Sequence, residues 1–171
     1  ELLKAESVPA GADVPDEVDV LYVSGRQGVP LSDVGRKALG DFADRGGFVF
    51  IEAALGDPEF EKPAADMVRM MGWRLMPLPD GHPIITGAIS ANASGYPITS
   101  VGYTYHLRSY RIGKPLPLLM GIFDGVKLVG VFSPYDVMFA QTGCRAWGNR
   151  GYEPSDARAL AANLALFMVD R

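Results

Sequence analysis

Glu52 closes an apolar run and Asp57 follows shortly after it, so two carboxylates can face one crevice, for acid-base work or a divalent cation. Asp57 also precedes Pro58, which makes it a ready helix N-cap. Ser24-Gly25-Arg26-Gln27-Gly28 offers backbone N–H groups and the Arg26 guanidinium near a helix start, a combination that can hold an anion. It matches neither G-x-G-x-x-G nor a phosphate-binding loop, so a tight turn with a solvated Arg is the plainer reading. His82, before Pro83, is one of only two His in the chain and can serve as base, ligand or hydrogen-bond donor, or simply as a structural loop residue.

Further along, Ser133-Pro134-Tyr135-Asp136 puts a hydroxyl near a carboxylate, but no G-x-S-x-G elbow surrounds Ser133, and Asp136 can cap a helical turn through Ala140. Tyr96, Tyr103, Tyr105, Tyr110, Arg108 and Arg111 form an aromatic and basic cluster with Tyr103 and Tyr105 on one side of an expected strand. Such a cluster suits a sugar or peptide groove, and equally a packing face or protein interface. Cys144 has Arg145 beside it, yet no strand-turn-helix setting presents it as a nucleophile, and it reads as a spectator thiol. His82, His106 and Cys144 are too scattered for a zinc motif, so neither metal nor cofactor is expected. Asn92-Ala93-Ser94 satisfies the glycosylation sequon, which has no weight without a eukaryotic secretory source.

The elements that must position these groups alternate between the two periods. Residues 18–24 form an apolar, β-branched run stopping at Gly25, which predicts a strand buried on both faces and close to the centre of a sheet. Ser32 is placed to cap a helix carrying Val34, Ala38, Leu39, Phe42 and Ala43 on one stripe, ended by Gly46-Gly47. Phe48 to Ala53 is a second buried strand, reached by a parallel crossover. A helix is predicted from near Pro63 to Gly72, and a third strand over Trp73 to Leu78. From Gly81 to about Ser100 the chain has no period and reads as a long excursion. Leu118–Phe123 and Val126–Phe132 flank Asp124-Gly125, the signature of an antiparallel hairpin, and Ser155 is placed to cap a last helix running to Arg171. The sum is one α/β domain over residues 1–171: three layers, a mostly parallel sheet and an antiparallel hairpin extension.

Composition narrows the classes. The chain has 171 residues, 48% hydrophobic and 21% charged, as one ordinary globular domain would. A net charge of -4 opposes nucleic-acid binding, and no run approaches the roughly 18 apolar residues of a membrane span. The expectation is a soluble chain, cytoplasmic or exported after loss of a segment before Glu1.

The order of these motifs resembles a bacterial family called domain of unknown function 4159, related to the class I glutamine amidotransferase-like, flavodoxin-like fold. The resemblance runs from about Val18 to the C-terminus and rests on Leu21-Tyr22-Val23, Leu31-Ser32, Gly46-Gly47-Phe48, His82-Pro83-Ile84, Asp124-Gly125, Ser133-Pro134-Tyr135-Asp136 and the last helix. Active amidotransferases of that superfamily display a nucleophile in an Ile-Cys-x-Gly turn. The matching stretch here is Ala53-Ala54-Leu55-Gly56, which puts Ala54 where the Cys would be and closes the covalent route to glutamine hydrolysis. The family usually has paired aspartates near this strand end, where this chain has Glu52-Ala53. His82-Pro83 resembles the His-Pro of trehalose-utilisation-like relatives, which implies carbohydrate as a ligand class by analogy.

The leading expectation is therefore a non-catalytic amidotransferase-like module that binds a small polar ligand or a partner protein at the strand-end crevice. Arg26, Glu52, Asp57, His82, Ser133, Tyr135 and Asp136 are the candidate ligand-binding residues, and Tyr103, Tyr105 and Arg108 the candidate protein interface. The alternative is a sugar-active or hydrolytic enzyme using Glu52, Asp57 or His82 for acid-base chemistry. A structural domain of an envelope assembly is a third reading.

Overall fold

The computed structural model describes residues 7, 9, 12–27, 32–91 and 93–170. Expectations at Glu1, Gly28, Leu31 and Asn92 lie outside the described residues.

The first unit is β1 (Val20–Gly25), α1 (Asp33–Asp44) and β2 (Phe48–Ala53). Ser32 caps α1 as its sequence position suggests, its Oγ accepting from Gly35 N at 3.1 Å. Of the expected stripe, Ala38, Leu39, Phe42 and Ala43 are buried while Val34, in the first turn, is 64% exposed, and Gly46 makes the exit turn at φ +100°. Along β2 every residue is buried. Two 3-10 turns follow, then α2 (Glu61–Met70) and β3 (Arg74–Pro77).

The excursion beyond β3 holds a one-turn helix, α3 (Pro83–Thr86), and is pinned to the last helix by Asn163. That buried amide donates to Ile84 O at 2.8 Å and Tyr96 O at 2.7 Å, and accepts from Tyr96 N at 2.7 Å. A segment without periodicity is ordered in this way by one side chain from far along the chain. Next come α4 (Tyr105–Arg108), the hairpin β4 (Met120–Asp124) and β5 (Lys127–Ser133), and α5 (Pro154–Asp170). Helix α5 begins one residue before the expected cap Ser155, within the usual uncertainty of a helix boundary.

The fold is α/β, and its five strands lie in the order β1-β2-β5-β4-β3. The sheet is mixed: β1·β2 and β2·β5 pair parallel, β5·β4 and β4·β3 antiparallel. Three expectations change here. The sheet is not mostly parallel, since two of its four pairings are antiparallel. Among the described residues the first strand is an edge strand, paired with β2 alone, and Tyr22 in it is 48% exposed. An apolar run reports readiness for burial but not the number of neighbours. The hairpin is no peripheral extension either, because β5 is the middle strand, inserted between β2 and β4. Gly130 permits that insertion, since a Cβ there would stand 2.3 Å from Val49 O.

Alternate residues of β2 feed two buried clusters. Phe48 and Phe50 pack with Ile84, Ile85, Leu160 and Leu164, whereas Val49 and Ile51 pack with Leu39, Phe42, Ala64 and Val68. In β5 the register shifts opposite Ile122 and Phe123, leaving Val129 as an extra residue. Val129 and Phe132 therefore join one cluster while Leu128 and Val131 face the other, which explains an apolar run that no simple alternation describes.

Candidate functional site

Three parallel strands bring their carboxyl ends to one edge, with Ser24, Glu52 and Ser133 abreast in register. Around that edge is a cleft of about 340 Å³. Tyr22, Ser24 and Arg26 come from the end of β1, and Glu52, Ala54 and Leu55 from the end of β2. Asp136, Phe139 and Ala146 come from the segment that leaves β5.

Glu52 continues the Phe48–Phe50 row of β2 and is 1% exposed. Its Oε2 accepts from the Tyr22 hydroxyl at 2.5 Å, and its Oε1 accepts from Val137 N at 2.5 Å and Met138 N at 3.0 Å. Burial pushes the carboxyl up to about 7, against the pull of these three donors and with the neighbouring Asp136 charge adding to the rise. Burial, together with the same carboxylate, raises the Tyr22 hydroxyl well above its ordinary value and keeps it protonated. Asp136 accepts from Phe139 N at 3.1 Å, as a cap of the turn it opens, and from Asn149 Nδ2 at 3.0 Å. Burial raises its carboxyl too, against those hydrogen bonds.

The turn after β2 is strained at one residue. Leu55 has φ +56°, costing roughly 1 kcal/mol or more for a non-glycine residue. Its carbonyl accepts from Arg150 N at 2.9 Å, and Gly56 lies so close behind that a Cβ would be 1.9 Å from Arg150 O. A strained strand-to-helix turn is where a hydrolase displays its Ser or Cys. Here the positions are Ala54 and Leu55, and neither side chain can attack a carbon centre.

The other sequence candidates are distributed around this cleft or away from it. Arg26 lines it, and its Nε pairs with Asp57 Oδ2 at 3.0 Å on an exposed edge. Asp57 is outside the walls and caps the following turn, accepting from Glu59 N at 3.1 Å. The Ser133 hydroxyl is wholly buried and donates to Tyr135 O at 2.6 Å, while the buried Tyr135 ring has the Arg111 and Arg150 guanidinium groups against it at 5.7 and 5.8 Å. His82 stands elsewhere. It caps α3, with Nδ1 accepting from Ile84 N at 3.3 Å, and its ring meets Phe167 at 5.1 Å. Phe167 in turn packs on Phe48, which is about 13 Å along β2 from Glu52. Partial burial lowers the His82 pKa and favours the neutral ring.

The expected strand under Tyr103 and Tyr105 is absent: Tyr105 opens α4, and Tyr103 makes only an isolated bridge to Tyr152. The Tyr103 hydroxyl donates inward, to Lys114 O or Leu116 O, so only Tyr105 and Arg108 of that trio are exposed. Sequence reasoning missed Tyr22 and the backbone N–H groups of Val137 and Met138, the partners of Glu52. No local spacing relates Tyr22 to a residue thirty positions on; the parallel register, Tyr22 opposite Phe50, does.

No family model matches the chain, and a search of the curated proteins finds no match to its sequence. Among the described residues, no helix is long and apolar enough to cross a membrane, and no three His, Cys, Asp or Glu side chains gather as a metal-ligand set.

Proposed function

We propose that this chain is a non-catalytic, amidotransferase-like module that holds a small polar ligand in the cleft at the carboxyl ends of β1 and β2. The observation that carries this reading is the strained turn itself, occupied by Ala54 and Leu55 beside a cleft that offers Glu52, Asp136, Ser24 and Arg26 as polar groups. Its lining joins the polar Ser24, Arg26, Glu52 and Asp136 to the apolar Ala54, Leu55 and Phe139, which suits a molecule with hydroxyl or amine groups on a compact body. The fold that goes with this reading is a three-layer, flavodoxin-like one, supported by the two clusters into which β2 divides its side chains.

The alternative is a sugar-active or hydrolytic enzyme, favoured by a carboxyl raised to about 7 close to a second one, Asp136. Its acid-base chemistry would fall to Glu52 with Asp136, because Asp57 caps the neighbouring turn and His82 caps α3.

A thermal-shift screen of sugars, sugar phosphates, nucleotides and amino acids on wild type and Glu52→Gln tests both. A ligand at about 100 times its Kd adds roughly 2.7 kcal/mol, which raises Tm by several degrees in a domain of this size. Binding is expected in wild type, weakened in Glu52→Gln, with the bound compound recovered unchanged. Turnover of that compound, lost in Glu52→Gln, would replace the binding module by the enzyme.

A further inference from the structure

A second surface lies outside the cleft, and its composition differs from that of the rest of the chain. No Asp or Glu occurs from Gly81 to Phe123 or from Val137 to Tyr152, two stretches that carry Arg108, Arg111, Lys114, Arg145 and Arg150. The other 11 of the 16 basic residues are left to offset all 20 acidic ones. Folding joins the two stretches: Thr104 Oγ1 donates to Asn149 O at 2.7 Å, and the His106 ring meets Trp147 at 5.2 Å. Where they meet, Trp147 is 93% exposed and Tyr105 73%. Arg108 covers one face of Tyr105 at 5.0 Å, and Tyr105 stands edge-on to His106. Arg111 is turned inward, to Leu116 O and the Tyr103 hydroxyl, whereas Arg108 and Arg145 are exposed. Ala146 is a wall of the cleft and Trp147 follows it, so this platform begins at the cleft mouth.

We infer that the platform of Tyr105, His106 and Trp147, flanked by Arg108 and Arg145, binds an anionic oligosaccharide of the uronic-acid type. An aromatic face is electron-rich and accepts the weakly positive C–H face of a pyranose ring, and Trp147 is exposed enough to offer one. Two of the carboxylates along the oligosaccharide then meet the exposed Arg108 and Arg145 guanidinium groups.

Trp147 supplies the readout, because the second Trp, Trp73, is 5% exposed and insensitive to a surface ligand. Hexagalacturonate is titrated against the whole chain, with maltohexaose and hexaglutamate alongside, following Trp emission and calorimetric heat. The expected result is a blue shift with hexagalacturonate that weakens as salt is added. Affinity should fall about tenfold or more in Trp147→Ala and in Arg108→Ala, with Tm unchanged in both because the side chains are at the surface. Absence of binding overturns the inference. So does equal binding of hexaglutamate, which would mean recognition of charge on a peptide, or equal binding of maltohexaose, which would remove the role of the guanidinium groups. Glu52→Gln leaves this platform untouched, so failure here is distinct from failure of the reading of the cleft.

Discussion

Glu52 and His82 are the two residues that most invite a chemical reading of this sequence, and the fold treats them in opposite ways. His82 closes a ring of contacts within its own neighbourhood, its Nδ1 taken by the N–H two residues on and its ring by Phe167. Glu52 instead reaches segments 30 and 85 residues away, tying Tyr22 and the backbone of Val137 to the end of β2. A loop residue beside Pro is consumed by the helix it starts, because the nearest unpaired N–H groups belong to that helix. A strand-end residue has no such local outlet, so tertiary structure must satisfy it, and does so at the mouth of a cleft. Their electrostatics diverge accordingly: burial raises the acid and lowers the base, so each keeps its neutral form over a wider pH range than in water.

The strongest way to break the Glu52 end is Gly56→Ala. A Cβ there meets Arg150 O at 1.9 Å, from a residue already at φ +65°, and the expected loss is about 4 kcal/mol or more, read as a drop in the urea midpoint with m unchanged.

Next in size is pH. A carboxyl whose folded value is raised from 4.5 to about 7 binds its proton more tightly in the native state. Its contribution is fully present below about 4.5 and is lost as pH rises through about 7. Wild type is expected to lose up to about 3 kcal/mol relative to Glu52→Gln between pH 4.5 and 7, measured by paired urea melts. Equal slopes for the two proteins would show that Glu52 is not held protonated. For His82 the sign is reversed: a depressed folded pKa gives a contribution present above 6.5 and lost as pH falls through the folded value, so His82→Ala should flatten the acid limb alone.

At neutral pH, His82→Ala removes one cap and one ring contact and should cost about 1 kcal/mol, with ligand binding in the cleft unaltered. A loss of cleft binding in that variant would join the two ends that the structure separates. Smallest of all, Arg26→Ala breaks an exposed ion pair with Asp57 and should change Tm by about a degree, while weakening any anionic ligand of the cleft.

Much of the fold was legible residue by residue. Ser32 announced α1, Asp124-Gly125 announced the β4–β5 turn, and the unbroken run of β2 announced burial on both faces. At the site, Glu52 and Arg26 were visible because strand ends in open α/β sheets are where crevices form, and Asp136 because it stands near the Ser133 hydroxyl at the close of the hairpin. Tyr22 was not, since its role depends on register with a strand beyond a helix, nor was the platform, since it joins Tyr105 and His106 to Trp147 across forty residues.

What the sequence by itself determined is therefore local: which segments bury, where helices are capped, and that Ala54 leaves the strand-end turn without a thiol. Those follow from periodicity, hydrogen-bond accounting over a few residues, and side-chain chemistry. Strand order, the central place of β5, the edge position of β1 and the partners of Glu52 were decided only in three dimensions. Apolar burial does not specify which neighbour provides it, and the choice among neighbours rests on non-local fits such as Gly130 against Val49 and Gly56 against Arg150.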